Sequence, residues 1–120
     1  MLSQRPRKSS NSVEIKWTDP EKVARAVHDH ASRLKRENPK VERVIWFGSR
    51  VNGLPTPGSD VDLCIVVSQD DRRRRDRIPD FLPTGFPVGI DLFVYTRDEF
   101  ARLQEESPHF YEAITSGIDV

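Results

Sequence analysis

The chain has 120 residues, enough for one domain with a single modest core and too few for two. Its 19 basic and 19 acidic residues cancel, which excludes a long-range field drawing the whole molecule to nucleic acid or to a membrane surface. The single cysteine, Cys64, excludes an internal disulfide, and no run approaches the roughly 18 apolar residues of a membrane span, so a cytoplasmic protein is expected.

Residues 1–12 are polar and basic without periodicity and are expected to form a disordered tail ahead of one domain spanning 13–120. Val23, Ala24, Val27, Ala31 and Leu34 then recur at helical spacing. Thr18 with Glu21 offers a capping box, and Asp19-Pro20 offers a cap followed by a first-turn proline. Pro39 ends this helix, and the β-branched and aromatic run VERVIWF (41–47) predicts a first strand. A loop rich in glycine and proline leads to VDLCIVVS (61–68), a second strand. The charged segment QDDRRRRDR and a stretch broken by Pro79, Pro83 and Pro87 connect it to VGIDLFVYT (88–96), a third. Thr96 and Glu99 predict a capping box, with Tyr95 and Phe100 as its hydrophobic staple, and Ser107-Pro108 opens a last short helix that Gly117 closes. This order predicts an α+β fold, an α/β sandwich with a mixed sheet flanked by helices.

The chemistry concentrates in FGSRVNGLPTPGSDVDL (47–63). Side chains two apart on a strand share a face, so Asp60 and Asp62 project together, and their mutual repulsion calls for a cation. Asp91 is the only charge in the third strand. A short link makes strands one and two antiparallel, and the longer link over 69–87 has room to set strand three parallel to strand two. Gly48-Ser49, Asp60, Asp62 and Asp91 then meet at one edge of the sheet. Three hard oxygen donors with open positions suit Mg2+, and a helical turn starting at Ser49 would seat phosphate, so the predicted ligand is a metal-bound nucleoside triphosphate.

These residues resemble the nucleotidyltransferase superfamily related to DNA polymerase beta, most closely its minimal members, the MNT domains. Their signature of Gly-Ser, ten residues and Asp-x-Asp is matched by Gly48-Ser49, residues 50–59 and Asp60-Val61-Asp62, with Arg50 and Gly53 in the loop, Ser59 before the acids and Asp91 on the third strand. The resemblance implies two Mg2+ ions held by Asp60 and Asp62, with Asp91 completing the site of the ion nearest an attacking hydroxyl. It implies ATP as substrate, nucleotide binding by Gly48, Ser49, Arg50 and Ser59, and in-line attack on the α-phosphorus. Many relatives carry an arginine immediately before the loop glycine, where this chain has Asn52.

Larger members of that superfamily hold the acceptor on an added domain, so a core this small is expected to receive it from another protein or a second copy. The resemblance implies a HEPN-type ribonuclease toxin as partner, the chain acting as antitoxin by moving AMP onto a toxin tyrosine. A non-catalytic module that neutralises its partner by contact is a second reading. Transfer to an aminoglycoside-type small molecule by a homo-oligomer is a third. No direct nucleic-acid binding is expected, and the Arg72–Arg75 run reads as a solvated face balanced by its own aspartates. His28 and His30 stand two apart on a helix and do not share a face for a metal; His109 reads as a surface residue. Cys64 is expected deeper on the face of Asp60 and Asp62 as a small buried thiol, and Trp17 and Trp46 as packing residues.

Overall fold

Asp19 starts the first helix of the chain, its carboxylate accepting a hydrogen bond from the Glu21 N–H at 2.9 Å with Pro20 following in the first turn. The computed structural model describes residues 19–53 and 59–120. The expected tail, Trp17 and the Thr18 half of the predicted capping box lie outside the described residues. Helix α1 (Pro20–Glu37) buries the stripe Val23, Val27, His30, Ala31 and Leu34, and the Asn38 N–H closes it on the Leu34 carbonyl at 2.9 Å. His30 thus belongs to the core face, while His28 is exposed.

Strands β1 (Val41–Phe47) and β2 (Val61–Val67) are antiparallel, with Phe47 opposite Asp62. Strand β3 (Ile90–Thr96) runs parallel to β2, as its long connection allows, and Asp62 stands opposite Asp91. A short β4 (Ile118–Asp119) pairs antiparallel with β1, giving the order β3-β2-β1-β4. This last strand was not expected; two residues carry no periodicity, and only contact with β1 makes them a strand. The charged connection also contains structure of its own, helix α3 (Arg74–Arg77) and a 3-10 turn (Ile78–Phe81).

Strand β2 is buried on both faces, which is why it reads as one apolar run. Val61, Leu63, Ile65 and Val67 pack with Val44, Trp46, Leu92, Val94 and Phe81 under α1. Trp46 keeps a buried indole N–H without a partner among the described residues. Cys64 and Val66 pack with Ile45, Phe47 and Tyr95 beneath α4 (Arg97–Glu106) and α5 (Pro108–Thr115). The Thr96–Glu99 capping box forms in both directions, at 3.2 and 2.9 Å, and the Tyr95 and Phe100 rings lie 6.5 Å apart as its staple. The result is a four-stranded mixed sheet with helices on both faces, the α+β architecture expected. No described helix is long and apolar enough to cross a membrane.

Candidate active site

The parallel register decides the site. Phe47, Asp62 and Asp91 occupy neighbouring positions across β1, β2 and β3, all on the face covered by α4 and α5. Cys64 lies two residues further in on that face, fully buried, and burial pushes its thiol up to about 12, so it stays a protonated packing group. Asp60 precedes β2 and is exposed, Asp91 is exposed on the sheet edge, and Asp62 is half-buried between them.

Two glycines make room for these acids. Gly48 ends β1 with φ +93, and a Cβ there would run into Asp62 Oδ2. Gly89 precedes β3; its carbonyl accepts from the Val61 N–H at 2.9 Å, and a Cβ on it would collide with Asp60 Oδ1. Sequence reasoning missed Gly89, although the short Gly89-Ile90-Asp91 run places a glycine two residues before the strand acid.

Helix α2 (Ser49–Asn52) begins at Ser49, where a helical turn was expected, with Gly48 as its cap. Ser49 is exposed, and with Gly48, Gly53, Ala113 of α5 and Ser116 just after it, it lines an open hollow of about 600 Å3. Arg50 turns the other way. Its Nε donates to the Ser59 carbonyl at 2.8 Å, stapling the two ends of the loop and holding Asp60 near the Gly48 turn. The side chain of Asn52 lies outside the described residues.

The electrostatics are those of an acidic cluster without a counter-charge. Burial raises the Asp62 carboxyl above its ordinary range, and the charges of Asp91 and then Asp60 raise it further. Among the described residues, no arginine or lysine pairs with these acids, and no three His, Cys, Asp or Glu side chains form a ready-made metal cage. An open set of carboxylates that repel one another fits a hard divalent ion that keeps waters and substrate oxygens in its shell. Asp60, Asp62 and Asp91 are the residues that would hold it.

Beneath the acids lies an aromatic floor that sequence reasoning did not assemble. Phe47, Phe93 and Phe110 pack with ring centroids 5.2 to 5.9 Å apart, and Phe93 and Phe110 are half-buried. Phe93 stands two residues behind Asp91 on the same strand face.

Residues 27–116, from α1 past the end of α5, match the family model described as "Nucleotidyltransferase domain". Among solved structures, a Sulfolobus solfataricus protein assigned as a nucleotidyltransferase is similar, with a TM-score of 0.58 and 18% identity over 88% of this chain and 90% of that one. At that identity the likeness is one of fold. No curated protein matches the chain significantly.

Proposed function

The chain belongs to the nucleotidyltransferase domain family, and from that premise we propose that it transfers AMP from ATP to a tyrosine hydroxyl of a HEPN-type ribonuclease toxin, acting as the antitoxin of the pair. The observation that carries the reading is the pairing of Asp62 with Asp91 beside the Gly48 turn. It puts acids that want a cation next to a backbone open enough for a triphosphate.

Gly48 and Ser49 line the open hollow and would take the triphosphate, with Arg50 and Ser59 holding the loop in place. Asp60, Asp62 and Asp91 would hold Mg2+, which when bound neutralises the phosphates and the departing pyrophosphate. Asp91, exposed on the edge strand, is the acid an incoming hydroxyl meets first, and its carboxylate would accept the hydroxyl proton. The acceptor oxygen forms a bond to the α-phosphorus while the bond from that phosphorus to the bridging oxygen breaks, and pyrophosphate leaves in line. The phenylalanine floor keeps water from the inner side of the acids.

The test mixes the chain with its partner toxin, ATP labelled at the α-phosphate and Mg2+. Label on a toxin tyrosine, absent with Asp60→Asn and Asp62→Asn, is the expected result. A toxin that never takes label, yet is still neutralised by both variants, would overturn the reading.

A further inference from the structure

Arg72–Arg75 are all exposed, and Arg72 is balanced by aspartates, as expected of a solvated face, but Arg77 just beyond them is not part of that face. Arg77 is buried and spends all five of its N–H donors inside the fold, on the carbonyls of Asp70, Arg72 and Val94 and on both oxygens of Glu99, at 2.7 to 3.2 Å. Arg72 is held by Asp70 at 2.7 Å and Asp80 at 2.6 Å. These anchors press α3 against the outer edge of β3, and between them lies a groove of about 580 Å3 whose floor is Leu92, Phe93, Val94 and Tyr95. Arg74 lies over the Tyr95 ring at 5.5 Å. Arg73 and Arg75 line the same groove, exposed and without an ion pair among the described residues.

We propose that this groove is the docking site for an acidic peptide segment of the acceptor protein, laid along the β3 edge so that its hydroxyl-bearing residue reaches Asp91. The inference rests on the reading of Asp91 as the acid that meets the acceptor. Two observations select a peptide. Backbone groups alternate along a strand, and since Val94 turns its carbonyl outward to Arg77, Leu92 turns its N–H and carbonyl outward too, offering a strand pairing that only a polypeptide answers. The charge is also too local for a nucleic acid. Residues 70–80 hold five arginines against four aspartates, and internal pairing leaves Arg73, Arg74 and Arg75 to meet a ligand. Affinity for nucleic acid grows with the number of phosphates neutralised, and so small a set flanked by aspartates holds few. A short run of carboxylates matches it.

The geometry sets the spacing. Asp91 and Tyr95 bracket the groove floor, and four residues of strand span about 13 Å, so the carboxylates belong roughly three to six residues from the acceptor hydroxyl. The probe is a fluorescein-labelled peptide of about twelve residues with one tyrosine and glutamates at that spacing. Anisotropy is measured with the full chain and without nucleotide or metal. Saturable binding that weakens about tenfold or more in the Arg73→Glu, Arg75→Glu double variant, and is kept by the double Lys variant, is expected. Circular dichroism confirms that both variants stay folded. Equal binding to wild type and to the Glu variant overturns the proposal, as does no saturable binding. Tighter binding of an oligouridylate of the same length also overturns it, in favour of nucleic acid. The binding readout is independent of transfer. A toxin labelled equally well by the Glu variant sinks the groove and leaves the proposed function standing; a peptide that binds beside a toxin that is never labelled does the reverse.

Discussion

Asp62, on a strand buried on both faces, stands directly opposite Asp91, on the edge strand of the same sheet. The fold therefore holds two like charges side by side with no arginine or lysine between them among the described residues, and Asp62, the more buried, carries the penalty. Its carboxyl is raised above the ordinary 3.8, by burial first and by Asp91 and Asp60 after it. A raised folded value means that the contribution to stability is full below the unfolded pKa and is lost as pH rises through the folded one. At neutral pH without divalent ions, Asp62→Asn is expected to raise the thermal midpoint by a few degrees, with the gain vanishing near pH 3 where both forms are neutral. The same variant should lose transfer activity by more than about a hundredfold, since even outer partners of a metal ligand are worth about 10–100-fold. Calorimetry across pH and a transfer assay check the two halves.

Gly48 and Gly85 both have positive φ, at +93 and +67, but only Gly48 faces a neighbour that a Cβ would strike. Alanine at either position should cost about 1–3 kcal/mol from backbone strain. Gly48→Ala must also displace Asp62, so its transfer activity should collapse while that of Gly85→Ala stays near wild type. Equal activity in the two variants would contradict the role given to the Gly48 turn.

Removing the buried Arg77 leaves the half-buried Glu99 without its cation and frees three carbonyls, so Arg77→Ala is expected to cost about 3 kcal/mol in urea unfolding. Arg73→Ala, exposed and unpaired among the described residues, should stay within about 0.5 kcal/mol. The pH dependence follows from Glu99, which the Arg77 hydrogen bonds pull down from 4.5 to about 2. A depressed folded value places this stabilisation above pH 4.5 and removes it as pH falls through about 2. Arg77→Ala should flatten that acid limb.

His30 pins α1 to the 3-10 turn. A carbonyl can only accept and a guanidinium only donate, so Nε2–H donates to the Phe81 carbonyl at 2.7 Å and Nδ1 accepts from Arg33 at 2.8 Å. Burial lowers its pKa from 6.5, the Phe81 carbonyl opposes this, Arg33 lowers it again and Glu37 raises it. The folded state thus prefers the neutral ring, and the stability it supplies is present above 6.5 and lost as pH falls through the lowered folded value. Urea midpoints should decline on acidification below 6.5 in the wild type and far less in His30→Gln.

The sequence by itself determined the local elements. The stripe from Val23 to Leu34, the Asp19 cap, the three strands and the Thr96–Glu99 box depend on periodicity and on partners within a few residues, so they were legible without tertiary contacts. The Gly48-Ser49 and Asp60-x-Asp62 spacing was legible for the same reason. Only the tertiary structure decided the rest. That Asp91 faces Asp62 depends on the register of two strands separated by a long connection. That Arg50 ties Ser59 was not legible in the sequence; Arg77, one cation in a charged run, became a buried bolt because Glu99 and three carbonyls meet it there. Gly89 matters only because Asp60 lies against it, and β4 exists only because β1 offers it a partner. Local pattern selects a conformation, whereas register, burial and charge pairing are made by residues far apart in the chain, and a single sequence does not state which of these will meet.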